Sequence, residues 1–184
     1  MVTLRPSRCY REIKNKPLTR ISIHKPRLSY IKGVPASKVR QYEVGSPNQD
    51  LPVKAVLVTK KAVQIRHNAI EAARIALNKE LEKKAGKYFL KVLIYPHHVL
   101  RENRVATGAG ADRFQEGMRA SYGVPVGTAA RVREGQRLFE ARVEAGKEFA
   151  IKSALDMARK KLPCPCTVVF VNSTTLPSSK SSSI

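Results

Sequence analysis

The order of patterned segments predicts an α+β fold: a two-layer sandwich of two helices on a mainly antiparallel sheet, with an extended basic N-terminal arm and a long inserted loop. Three observations carry this expectation. Residues 68–84 and 151–162 repeat apolar side chains at helical spacing, β-rich or alternating stretches flank each of them, and residues 102–122 show neither period. Strand, helix, strand, strand, helix, strand is the order of the split βαβ arrangement, with the loop between the middle strands. Strand order within the sheet stays open, and short extra strands leave room for a barrel-like closure.

Residues 1–37 read as an arm. Over residues 1–40 eleven cations, among them Arg5, Arg8, Arg11, Lys14, Lys16, Arg20, Lys25, Arg27 and Lys32, face one acid, Glu12. Pro6, Pro17, Pro26 and Pro35 interrupt any helix there. Tyr10 and Tyr30 could stack on exposed bases or serve as packing residues, and the bland alternative for the whole arm is a solvated tail.

Residues 38–171 read as a single α/β domain. Val39–Val44 is a short strand stopped at Gly45, and Val53–Thr59 is a second, more apolar one. Asn68 and Glu71 have the spacing of a capping box, so a helix runs from about Asn68 to Lys84 and closes at Gly86. Ile70, Ala73, Leu77 and Leu81 form its core face, with Glu71, Arg74, Lys79, Glu80 and Lys83 opposite. Tyr88–Tyr95 reads as a central strand ended by Pro96. Thr128–Arg133 and Arg137–Val143 alternate as strands, the latter with Phe139, Ala141 and Val143 inward. Ile151, Ala154, Leu155, Ala158 and Leu162 give a second helix ending before Pro163, and Cys166–Val171 is the last strand. Residues 172–184 are Ser-rich and read as a flexible tail.

The stretch 102–122, ENRVATGAGADRFQEGMRASY, is long for a connection in a compact domain. Gly108, Gly110 and Gly117 permit close backbone approach to a partner. Arg104, Arg113 and Arg119, with Arg101 just before, present planar donor forks suited to phosphates and bases. The alternative is an unspecialised surface loop.

Charge sets the partner class. With 35 Lys and Arg against 14 Asp and Glu in 184 residues, the formal net charge is +21 and the pI about 10.4. Such a chain binds a polyanion, RNA or DNA, through phosphate neutralisation and counterion release. No basic amphipathic helix near a terminus, no transmembrane-length apolar run and no signal-peptide core points to a membrane, so a cytoplasmic location is expected.

Enzyme signatures fail. Gly108-Ala-Gly110 opens like a dinucleotide fingerprint but reaches Arg113 where the third glycine belongs, and no P-loop is present. Cys164-Pro-Cys166 is too tightly spaced for the usual zinc or redox pair and reads as structural thiols. His97 and His98 are adjacent on extended chain and point to opposite faces, against metal binding. His24 and His67 receive no role. No catalytic residue, cofactor or metal is expected.

Four stretches carry a family resemblance: RPSRCYREIKNKP at 5–17, KGVPASKVRQYEVG at 32–45, NAIEAARIALNK at 68–79 and YPHHVLRENRVATGAGADRFQEGMRASYGVPVGTAARV at 95–132. From about Leu4 to Val171 the chain resembles the archaeal and eukaryotic large-subunit ribosomal protein family L-ten-e, counterpart of bacterial L-sixteen, with a composition closer to archaeal members. The resemblance implies an α/β sandwich that binds large-subunit rRNA beneath the central protuberance, in the vicinity of 5S rRNA and neighbouring ribosomal proteins. It implies that the loop, with Arg104, Gly108, Gly110, Arg113, Gly117 and Arg119, approaches the peptidyl transferase centre and the acceptor ends of A- and P-site tRNA. Arg5, Arg8, Arg11, Lys14, Lys16, Arg20, Lys25, Arg27, Lys32, Arg101 and Arg131 become the expected rRNA contacts. An assembly factor or RNA chaperone absent from mature subunits would share every charge argument.

Overall fold

The computed structural model describes residues 4–13, 24–29, 31, 33–47, 51–102 and 123–171. In chain order these hold α1 (Arg8–Arg11), a 3-10 turn at Pro26–Leu28, β1 (Glu43–Gly45), β2 (Val53–Thr59), β3 (Val63–Arg66) and α2 (His67–Lys84). Then follow β4 (Tyr88–Val92), β5 (His98–Glu102), β6 (Val124–Val132), β7 (Arg137–Val143), α3 (Glu148–Arg159) and β8 (Cys166–Val171).

The larger sheet is antiparallel throughout, in the order β1-β4-β7-β2-β8. β7 therefore lies between β2 and β4, and β2 lies between β7 and β8. Each β–α–β unit leaves a gap that a strand of the other unit fills, which is the split βαβ arrangement expected from element order. Instead of closing a barrel, the additional strands form a separate sheet, β3-β6-β5. β3 and β5 were not anticipated. β3 has four residues and runs into α2 without a Gly or Pro between them, so its pattern merges with the helical one.

The core lies between the helices and one face of the larger sheet. Ile70, Ala73, Leu77 and Leu81 of α2 and Ile151, Ala154, Leu155 and Ala158 of α3 are completely buried. They meet Ala55, Leu57, Leu90, Phe139, Ala141 and Val143, which the register places on the same sheet face. Removing that apolar surface from water, at about 25 cal/mol per Å², is the main force holding helix to sheet. Lys147 ties the layers at their ends, donating to the Ala85 carbonyl at 2.5 Å and to Glu144 at 2.8 Å.

Several local expectations are corrected. The capping box does not form: α2 starts at His67, no side chain caps it from Arg66, and Asn68 Oδ1 accepts from the Ala69 amide at 2.9 Å. Glu71 instead takes two charge-assisted hydrogen bonds from Arg74, at 2.6 and 3.0 Å, and one from the Arg40 amide at 3.4 Å. Arg74 is consequently buried rather than on an exposed face. Only Glu43–Gly45 of the Val39–Val44 segment joins the sheet as a strand, while Val39 turns into the core. β4 ends at Val92, after which Leu93 donates to the Leu138 carbonyl at 2.9 Å and Tyr95 leaves to stack on Tyr42. The α2 terminus is as expected, with Gly86 at φ +71° just beyond it.

Among the described residues no helix is long and apolar enough to cross a membrane. Cys164 and Cys166 are buried free thiols with sulfurs 3.4 Å apart, packed ahead of β8. The hydrogen bond with Cys164, then burial, push the Cys166 thiol up. Among the described residues no cluster of three or more His, Cys, Asp or Glu side chains could hold a metal ion.

Candidate nucleic-acid interface

β5 and β6 pair Glu102 with Val124 and Arg101 with Pro125, with a register shift between Leu100 and Arg101. This antiparallel stem brings together the two ends of the Arg- and Gly-rich stretch, so the chain leaves and re-enters the fold at one place. Of the residues expected to contact RNA or tRNA, Arg104, Gly108, Gly110, Arg113, Gly117 and Arg119 lie outside the described residues, as do Lys14, Lys16, Arg20 and Lys32.

The arm is seated against that stem. The Tyr10 hydroxyl donates to the Glu102 carboxylate, and the Gln64 amide donates to the Tyr10 carbonyl at 3.0 Å. Arg66 Nη1 donates to the Arg5 carbonyl at 2.8 Å, and its guanidinium lies 5.6 Å from the centre of the Tyr10 ring. A cation above an aromatic face is attracted by the ring quadrupole. Tyr10 is thus a packing residue: its ring and hydroxyl are both committed within the fold. Burial first, then the Glu102 carboxylate, push its phenol up to about 12, against the opposing pull of Arg5.

Arg131 extends the cluster, its Nε donating to Gln64 Oε1 at 3.3 Å. Arg101 and Arg131 both face His98, whose pKa is lowered by burial and then by these two cations. The expected contacts therefore separate into two groups. Arg5, Arg101 and Arg131 converge around the loop stem, while Arg8, Arg11, Lys25 and Arg27 lie exposed on the arm. His67, given no role from sequence, joins three segments. Its Nδ1 receives the Lys38 amide at 3.4 Å and lies 3.0 Å from Thr128 Oγ1, while a side chain at Gly127 would press on the ring at 3.2 Å. Burial, then Lys38 and Arg66, lower its pKa, so the neutral ring is favoured.

Arg66 and Gln64 are the residues that sequence reasoning missed. Their only sequence signal is the alternation of the short VQIR strand, which separates Gln64 and Arg66 from Val63 and Ile65. The acids of the body are largely neutralised where they stand: Glu43 by Lys91, Glu71 by Arg74, Glu80 by Lys84, Glu144 by Lys147 and Asp156 by Arg159. Glu140 is held by Lys54 at 2.8 Å and Arg142 at 2.7 Å. Positive charge is densest along the arm, where Arg5, Arg8 and Arg11 are exposed. Such a surface neutralises phosphates. Among the described residues no nucleophile, base and orienting acid come together as acyl or phosphoryl transfer requires.

Comparison with known proteins gives the same assignment. Residues 14–169 match the family model described as ribosomal protein L16p/L10e. The large ribosomal subunit protein uL16 of Staphylothermus marinus is 47% identical over 169 residues, covering 91% of this chain and 93% of the relative. Its counterpart in Methanococcus maripaludis is 44% identical over 170 residues, 91% of this chain and 94% of the relative. That of Archaeoglobus fulgidus is 44% identical over 167 residues, 90% and 91% respectively. With the match spanning both the arm-proximal segments and the two-helix body, the chain belongs to the L16p/L10e family of ribosomal proteins.

Proposed function

We propose that this chain is a non-catalytic structural constituent of the large ribosomal subunit in the cytoplasm. Its body (38–171) docks on large-subunit rRNA, its basic arm (1–37) lies between RNA helices, and residues 102–122 approach the peptidyl transferase centre and the acceptor ends of A- and P-site tRNA. The Ser-rich segment 172–184 is assigned no role in it. Neighbouring large-subunit proteins and the vicinity of 5S rRNA complete the surroundings.

The observation that carries the reading is the junction of arm and stem. Tyr10, Gln64 and Arg66 fasten the arm beside Glu102, where β5 ends and the Arg- and Gly-rich stretch begins. Binding of RNA by the arm and placement of the loop are then mechanically one event. Glycines in the loop let its backbone come close to a tRNA end, while arginines neutralise the phosphates crowded there.

The test is replacement of residues 104–119 by a short Gly-Ser linker in a strain relying on this copy. Subunits should assemble, while accommodation of aminoacyl-tRNA in the A site should slow by at least tenfold in rapid kinetics. Accommodation at the normal rate would refute the loop's role.

A further inference from the structure

A cavity of about 440 Å³ opens between the arm, β3, the first turns of α2 and the turn that follows α3. Three cations from three separate elements line it: Arg11 of α1, Arg66 of β3 and Lys161 after α3. No carboxylate lines it among the described residues, and neither Arg11 nor Lys161 is ion-paired there. Arg66 uses Nη1 on the Arg5 carbonyl, which leaves its other N–H donors available. Ala69, Ala72, Leu162 and Pro163 supply its apolar lining, and Ser7, Gln64 and Asn68 its uncharged polar lining.

Each feature narrows the occupant. Convergent, uncompensated cations require an anion. The volume falls within the range of roughly 300–1,000 Å³ typical of small-molecule sites and far exceeds the ~30 Å³ share of one water molecule. Apolar side chains beside the cations suit a ligand that carries a charged group and a weakly polar one. Arg8 lies one helical turn before Arg11 and is exposed, so the cationic track continues beyond the rim.

We infer that this cavity seats a single nucleotide of an RNA strand. Arg11, Arg66 and Lys161 hold its phosphate, and the wall of Ala69, Ala72, Leu162 and Pro163 receives its sugar or base. The inference rests on the RNA-binding reading above and adds a discrete binding site to it.

The test uses the full chain, with 5′-AMP as the probe and amide resonances as the readout. Ala69 and Ala72 should shift with a saturating curve, and adenosine should bind at least tenfold more weakly. Arg11→Ala combined with Lys161→Ala should weaken 5′-AMP at least tenfold. Lys79→Ala with Lys83→Ala, which removes equal charge from an exposed face of α2, should leave it unchanged. Thermal melting of both variants checks that they are folded. Non-saturating shifts spread over all basic surfaces, or unchanged binding by the Arg11/Lys161 variant, would overturn the inference. Equal competition by a tetraglutamate peptide would overturn it too, assigning the cavity to an acidic protein segment.

Binding to large-subunit rRNA separates this inference from the broader reading. The Arg11/Lys161 variant should still bind, with a log K against log salt slope smaller by about 0.7, as for one lost phosphate contact on a single strand. No rRNA binding by the unaltered chain would refute the broader reading. Normal rRNA binding with an identical slope in the variant would refute only the nucleotide seat.

Discussion

Tyr10 and Glu102 lie 92 positions apart in sequence, yet the phenol of one hydrogen-bonds to the carboxylate of the other. One is on the basic arm and the other closes the stem of the Arg- and Gly-rich loop, so this bond couples the two segments expected to meet RNA. A neutral phenol is required as the donor, and the neutral form is the one favoured by burial and by the adjacent carboxylate.

Tyr10→Phe should therefore loosen the arm without unfolding the body. Loss of one such bond costs about 1 kcal/mol, which raises the detached population about fivefold. Trypsin cleavage at Arg8 and Arg11 should accelerate by that factor, since cleavage tracks the open population. The tyrosine titrating near 12 should also vanish from the alkaline absorbance titration.

Glu140 sits on the face of the larger sheet turned away from the helices, buried under Lys54 and Arg142, and Arg142 also covers the Phe89 ring. Burial would raise its pKa, but hydrogen bonds from the two cations outweigh it and hold the carboxyl below its ordinary 4.5. Its contribution to stability is accordingly present above about pH 4.5 and lost as pH falls through the depressed native value. Glu140→Gln should cost about 1–3 kcal/mol at pH 7. The variant should also show a smaller drop in urea midpoint between neutral and acidic pH than the unaltered chain.

His67 shows linkage of the same sign at higher pH. Its folded pKa lies below the ordinary 6.5, so the unfolded chain takes up the proton first. Stability from the neutral ring is complete above 6.5 and declines as pH falls from there through the lowered native value. His67→Gln retains an acceptor and cannot titrate. Its melting temperature should change less between pH 7.5 and pH 5 than that of the unaltered chain; an equal change would exclude His67 as the cause.

Gly45 and Gly135 separate two costs of positive φ. At Gly45, φ +92°, an added Cβ would lie 2.2 Å from the Tyr88 carbonyl oxygen, whereas at Gly135, φ +72°, it meets nothing within 4 Å. Gly135→Ala should cost about 1–2 kcal/mol from backbone conformation alone. Gly45→Ala must add displacement of β1 from β4 and should exceed it by about 2 kcal/mol. Equal denaturation midpoints for the two variants would contradict this account of the β1–β4 edge.

What could be read from sequence follows the physics of local signals. β2, β7 and β8 have the bounds expected of them, because an apolar run, as in β2 and β8, or alternation, as in β7, is a property of each segment alone. The buried stripe of α2 was visible for the same reason. β3 and β5 were not, being short and joined to a helix or to Pro96-His97 without a distinctive pattern. Arg74 looked like a surface cation because helical spacing shows the face but not the Glu71 pair that lets a guanidinium be buried. Arg5, Arg8 and Arg11 were evident from composition. The roles of Gln64, Arg66 and Lys161 depend on partners far away in sequence: Tyr10 and Arg5 for the first two, and the cavity walls for the third.

The most direct test of the central claim is sedimentation of the tagged full chain from native lysate through a high-salt gradient, with quantification against large-subunit rRNA. A structural constituent predicts close to one copy per large subunit, retained in translating ribosomes. Absence from mature subunits, or presence only on precursor particles, would contradict it and identify the chain as an assembly factor.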